Sequence, residues 1–419
     1  MEKIIELNGA ILHIVPTKKF KNITISIKLK SKLKKETSTI RTLLSFMFSG
    51  GTNKLPSQQA ISKYLENLYG MRLGASVSSK GKAHIIHINS IGINDEYLPE
   101  KEGLLVKQLE LLHDVLFDLS ANSNQFNETI FNSKKRELKQ RLISAKNDKY
   151  SYAVDSTLKL MGKDQCLGIS SIGYEEDLDS ITNQALYDYY QKCIKEDEVE
   201  IYVVGDIKEE EYILFEKYLS FTPKKKSTDV VARYRKTRED ILKIEEIQDI
   251  TQAKLNIGYE INTAFIDFDH YAFTVFNGMF GGFAHSKLFK VVREEHSLCY
   301  YISSNYDAFN SIMLVTAGID ASQSDKVIRL VEDELDKFKH ADISKDDFEV
   351  TKIMLLNGLK KSNDEAGNII ALKYNRDIVA KQETIEEYME KLNHVTLADI
   401  QRVATKVKLD TIYLLKGSE

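Results

Sequence analysis

Ile40-Arg-Thr-Leu-Leu-Ser-Phe-Met-Phe-Ser-Gly-Gly-Thr52 joins an amphipathic helix to a glycine stop. Ile40, Leu43, Leu44, Met47 and Phe48 fall at i, i+3, i+4, i+7 and i+8, one face of a helix that must bury itself against a core. Gly50-Gly51 then ends it, since glycine accepts positive φ without penalty. The pattern is written twice. Ala272, Val275, Phe276, Met279 and Phe280 repeat the spacing 232 residues later and run into Gly281-Gly282. Repetition at this distance predicts two units of like build.

Working outward, both halves keep matching. After the first glycine pair, Ser57 is placed as the N-cap of a helix that buries Ile61, Tyr64, Leu65 and Leu68 and stops at Gly70. After the second, Ser286 is placed to cap a helix with Leu288, Phe289 and Val292. Strands follow: Leu73 to Ser79 matches Leu298 to Ser304 at an offset of 225. Ile91-Gly92-Ile93 matches Ala317-Gly318-Ile319. Each half closes with a threonine-started helix, from Thr182 and Thr396, and an apolar strand, Ile201–Gly205 and Ile412–Gly417. Thr222-Pro-Lys-Lys-Lys-Ser-Thr228 holds one of only four prolines and reads as the joint. The expected division is residues 1–222, a linker 223–236, and residues 237–419. The expected fold class is α+β: two homologous half-domains, each an antiparallel sheet with helices packed on it, related by pseudo-twofold symmetry.

Composition narrows the function. With 419 residues and 42% hydrophobic content, each half has enough apolar material for its own core. Three scattered cysteines give neither a disulfide framework nor a zinc knuckle. A net charge of −4 gives no broad basic field for nucleic acid or anionic lipid. Charges in the first seven residues, with no long apolar run after them, lead to the expectation of a soluble cytoplasmic protein.

Several of these stretches resemble a known family. Met47-Phe-Ser-Gly-Gly-Thr52, Pro56-Ser57 and Tyr69-Gly-Met-Arg-Leu-Gly-Ala-Ser76 resemble the opening of an insulinase/pitrilysin/mitochondrial-processing-peptidase chain. Gly281-Gly282, Leu288-Phe289 and Arg293-Glu-Glu-His-Ser-Leu-Cys-Tyr300 resemble its second-half signature. Leu12-His-Ile-Val-Pro-Thr-Lys-Lys-Phe20 and Leu138-Lys-Gln-Arg-Leu142 are similar to the YmfF-type bacterial branch, associated with modification of translation elongation factor P.

Active members of that family carry His-x-x-Glu-His on the first helix, two histidines on one face for zinc and a glutamate to activate water. Aligned through Met47 and Gly51-Thr52, those positions hold Thr42, Ser45 and Phe46. The family's third ligand, a glutamate on a later helix, falls on Arg141 or Gln140. A phenyl ring has no lone pair for a metal, and a guanidinium repels one. The resemblance therefore implies no catalytic residues and no metal in this chain. The second half departs less. The family's substrate-holding arginine and tyrosine match Arg293 and Tyr300, both able to donate hydrogen bonds to a peptide carbonyl.

Each feature also has a plainer account. Arg293 and Tyr300 are residue types common in ordinary packing, and Gly281-Gly282 could end a helix or border an extended peptide. His84 and His87 lie three apart in a strand-like run and face opposite ways; Glu295-His296 reads as solvated surface. His13, His113, His270, His285, His340 and His394 have no partner at ligand spacing. The lysine clusters at 18–19, 34–35 and 224–226 are short and offset by 62 acidic residues. The leading expectation is a non-catalytic, peptide-binding subunit of a heterodimeric zinc endopeptidase. Zinc is expected in a paralogous partner, with no nucleic acid, no membrane, and a homodimer as an option when the chain is expressed alone. The alternative is a non-enzymatic interaction or scaffold protein that uses the same groove to grip a protein partner.

Overall fold

The computed structural model describes residues 2–224 and 226–418; Lys225, in the expected linker and lysine cluster, lies outside the described residues. The chain forms two compact units, and neither is one continuous stretch. The first takes residues 1–144, 170–228 and 363–375, the second residues 145–169, 229–362 and 376–419.

The first unit holds strands β1 (Lys3–Leu7), β2 (Ala10–Pro16), β3 (Asn22–Lys32), β4 (Arg72–Lys80) and β5 (Ala83–Ile93). The two-residue pair β6 (Ala121–Asn122) and β7 (Gln125–Phe126) follows, then β8 (Glu198–Gly205). Six strands form one sheet in the order β1-β2-β8-β3-β5-β4, and β4 is its edge. Along β3, Ile23, Ile25, Ile27 and Leu29 enter the core while Thr24, Ser26, Lys28 and Lys30 take the other face. That alternation is the two-residue period of a strand.

The apolar face is covered by α1 (Lys35–Met47) and α3 (Leu104–Phe117), whose Leu43, Leu44, Leu109 and Leu112 share the strands' core. Around them lie α2 (Gln58–Asn67) and α4 (Glu128–Asn147). Next in the chain comes α5 (Lys149–Met161), which belongs to the second unit, followed by α6 (Asn183–Glu196) and α7 (Tyr212–Tyr218). Ser57 and Thr182 cap as the sequence predicts, accepting from the amides of Ala60 and Ala185 at 3.1 Å.

The second unit repeats this topology. Its strands are β9 (Leu242–Ile247), β10 (Ala253–Glu260), β11 (Cys299–Asp307), β12 (Ile312–Ile319) and β13 (Lys408–Lys416). They form one sheet, and the order β9-β13-β10-β12-β11 reproduces β2-β8-β3-β5-β4. The match extends to direction: β2 and β8 are parallel, as are β9 and β13, and the other neighbours are antiparallel. Besides α5, its helices are α8 (His270–Asn277), α9 (Ser324–Lys339), α10 (Lys345–Ser362), α12 (Ile385–Asn393) and α13 (Leu397–Ala404), while α11 (Ala366–Asp377) falls almost wholly in the first unit. Among the described residues, no helix is long and apolar enough to cross a membrane.

Three expectations need correcting. The units are not cut at 222 and 237: residues 145–169 join the second unit and 363–375 the first. The reason lies in the sheets' polar faces, which need cover. On the second, α5 lays Thr157 against Asn256 (3.1 Å), and Met161 sits over Gly258, where a Cβ would collide with it. On the first, Tyr374 of α11 packs 5.7 Å from the ring of Tyr202. The end of the expected linker is not free chain either. Val230 and Tyr234 are buried, and the Tyr234 hydroxyl donates to the Met161 carbonyl at 3.0 Å and to Asp410. Finally, Ser286 does not cap with its side chain. Its carbonyl accepts from the Lys290 amide at 3.0 Å, while its buried hydroxyl has no hydrogen-bond partner among the described residues.

Candidate functional site

On α1, both hydroxyls at the expected metal positions are spent on backbone. Thr42 Oγ1 donates to the carbonyls of Ser38 (3.0 Å) and Ser171 (3.1 Å), and Ser45 Oγ to that of Thr42 (2.7 Å). Phe46 is half-buried against the core, and the Arg141 guanidinium lies over its ring with Cζ 5.7 Å from the centroid. Of the two sequence candidates on α4, Arg141 is the one placed on Phe46. This donor set does not fit zinc: two committed hydroxyls, a hydrocarbon ring and a fixed cation offer no ligand. No chemical step can be routed through a metal here.

The residue beside Thr42 explains why α1 keeps its position. Arg41 is 0% exposed and pairs with Asp197, while donating to the carbonyls of Leu29 (2.7 Å) and His84 (3.3 Å). Burial opposes its charge, but Asp197 more than offsets this and holds its pKa above the usual arginine value.

In the second unit, Gly281-Gly282 does not end a helix through positive φ, contrary to the sequence expectation. The pair closes a π-helical turn, Gly278–Gly282, that runs on from α8. Gly281 is required there by close approach: a Cβ would come within 2.7 Å of the Ser304 amide nitrogen on β11. Asn277 pins the same contact, accepting from Ser304 Oγ at 2.8 Å.

Arg293 lies on a second π-helical turn, Phe289–Glu295, marked by the His296 amide donating to the Val291 carbonyl at 3.1 Å. Such turns are rare and concentrate at functional sites. The Arg293 guanidinium is braced over the Phe289 ring at 4.6 Å and is exposed. Tyr300, at the start of edge strand β11, is 80% exposed. Between them, burial pushes the Cys299 thiol up to about 11, against the pull of the Arg293 charge, so it stays protonated near neutral pH.

The histidines behave largely as read. His84 and His87 leave β5 on opposite faces. His84 Nε2 meets the Ser171 carbonyl (2.9 Å), whereas His87 bridges Ser78 Oγ (2.7 Å) and Lys28 Nζ (2.9 Å). Burial, reinforced by Lys80, lowers the Lys28 amine to about 8. Sequence places Lys28 on the polar face of β3, but gives no sign that this face is covered. His13, without a ligand-spaced neighbour in sequence, lies between Glu2 (3.3 Å) and Glu200 (3.6 Å). Both carboxylates are already held, by Lys373 and Lys226.

Over 412 residues, 98% of this chain and 96% of the relative, the chain is 32% identical to the Bacillus subtilis (strain 168) protein named "Probable inactive metalloprotease YmfF". The chain belongs to the peptidase M16 family. Residues 180–355 match the family model described as the peptidase M16 inactive domain, so the chain is a protease-like protein of the non-catalytic kind. A second relative, from the same Bacillus subtilis strain, is named "Uncharacterized zinc protease YmxG". It is 23% identical over 373 residues, 86% of this chain and 88% of the relative. Among solved structures, a conserved protein from Enterococcus faecalis V583 superposes with a TM-score of 0.92 at 33% identity, covering 100% of this chain and 99% of the other. A Helicobacter pylori protease shares the fold, with a TM-score of 0.83 at 17% identity over 99% of both chains.

Proposed function

We propose that this chain is the substrate-handling subunit of a two-chain zinc peptidase. It binds an extended peptide and presents it to a paralogous chain that carries the metal. The observation behind this reading is a pair of uncommitted donors. Among the described residues, neither the Arg293 guanidinium nor the Tyr300 hydroxyl has a hydrogen-bond or ion-pair partner, and both are exposed. Phe289 braces the guanidinium from 4.6 Å, which lowers the ordering needed for it to meet a peptide carbonyl. The existence of an inactive-type and a zinc-type relative in one Bacillus strain supports a division of labour between two chains. Cytoplasmic location and a connection to elongation factor P modification belong to the same proposal.

The test is metal content and peptide hydrolysis of the chain alone and mixed with a zinc-bearing paralogue. The expected result is no zinc and no turnover alone, with turnover appearing in the mixture and falling about 100-fold with Arg293→Ala or Tyr300→Phe. Full turnover by either variant sinks the positioning role. Stoichiometric zinc with activity in the lone chain overturns the whole reading.

One feature favours the scaffold alternative. Val350, Ile353 and Met354 form an exposed apolar stripe on α10, the kind of patch that docks proteins. If the chain binds a partner through this stripe and never supports hydrolysis in any mixture, the scaffold reading replaces the first.

A further inference from the structure

The first unit carries a charge feature that the second-half donors do not explain. Arg141 projects from α4 over Phe46 and, among the described residues, makes no hydrogen bond or ion pair. Its five N–H donors are unspent, and the ring lies beneath them at 5.7 Å. The acidic residues of α4 do not neutralise it. Glu137, one turn away, is held by Lys134 at 2.9 Å, and Glu128 accepts from Asn132 and Asn183. Glu137 and Glu128 are the acidic residues of this helix. Phe46 itself sits on α1, which packs against edge strand β4. That strand pairs with β5 along its whole length without a bulge, and its centre, Gly74-Ala-Ser-Val-Ser-Ser79, is small-sided. Such an edge leaves backbone donors and acceptors open to an extended chain.

We infer that Arg141, seated on Phe46, is an anion-reading position that selects peptides carrying a carboxylate, either an acidic side chain or a free C-terminus. The inference rests on the peptide-binding reading above and adds a ligand class to it. An unpartnered guanidinium over an aromatic ring offers the planar fork of donors that a carboxylate accepts bidentately.

The experiment uses the intact chain and fluorescein-labelled Ser/Val decapeptides. One set moves a single Glu, or an isosteric Gln, through each position; a second compares free-acid with amidated C-termini. The expected result is one placement of the carboxylate that binds about tenfold tighter than its uncharged twin. Arg141→Gln removes that advantage and leaves the uncharged peptide unchanged, and Arg141→Glu turns the preference toward a Lys peptide. Which set shows the effect tells a side-chain carboxylate from a C-terminal one. Measurable binding with no carboxylate preference, or a preference that survives Arg141→Gln, overturns this inference alone. Failure of every peptide to bind overturns the peptide-binding reading together with it.

Discussion

Gly281 lies against Ser304 so closely that a Cβ would stand 2.7 Å from both its amide nitrogen and its Oγ. Real Cβ atoms do not come so near a backbone nitrogen, so the π-helical turn or β11 must shift if a side chain is added. Gly281→Ala should therefore cost about 1–3 kcal/mol in urea unfolding, as overpacking does. A neutral effect would show that the turn is not held by this contact, leaving peptide contact as the reason for glycine there.

Arg41 is the strongest structural commitment on α1, because its removal strands Asp197 and two carbonyls in the core. Arg41→Met should destabilise the chain by about 3–5 kcal/mol, much of it recovered when Asp197→Asn is added. Chemical denaturation of the single and double variants checks this. A single-variant loss below about 1 kcal/mol means the pair is not what anchors the helix.

His270 should make stability fall on the acid side of neutrality. Burial of the ring, with the Lys381 charge adding, lowers its pKa to about 3, from 6.5 when unfolded. The unfolded chain thus takes up a proton below pH 6.5 that the folded chain refuses, and stability present above 6.5 is lost as pH falls toward 3. The loss at pH 5 should be about 2 kcal/mol from this residue. His270→Phe leaves the hydroxyls of Tyr306 and Tyr388 without it and lowers stability throughout, yet makes the slope between pH 6.5 and 4 shallower, with His84 and His87 supplying the rest. An unchanged slope would place the acid sensitivity elsewhere.

Restoring metal ligands offers a direct check on the assignment of Thr42, Ser45, Phe46 and Arg141. Thr42→His, Ser45→Glu and Phe46→His together should bind zinc poorly while Arg141 remains, because a cation still points at the site. Adding Arg141→Glu should give close to one zinc per chain by elemental analysis. Tight binding by the triple variant, or none by the quadruple, means the ligand on α4 has been assigned to the wrong residue.

Much of the fold is legible in the residues. The doubled helix–glycine–strand pattern yields two sheets of matching order, since amphipathic period and turn residues are local properties that survive in any context. Thr182 and Thr396 cap their helices for the same reason. Ser286 occupies the expected start of its helix, with its carbonyl accepting from the Lys290 amide, but its hydroxyl does not make the capping bond.

The sequence by itself determined the repeat, the apolar faces and the loss of metal ligands, because each depends on residue type and short-range spacing. Only tertiary structure decided that α5 and residues 363–375 cross to the other unit, that Arg141 lies over Phe46, and that Lys28 on the polar face is buried beside His87. Those outcomes join residues about a hundred or more positions apart, or depend on which surfaces still need cover once the sheets have formed. No local pattern encodes that requirement, which arises from burying polar strand faces against the helices able to meet them.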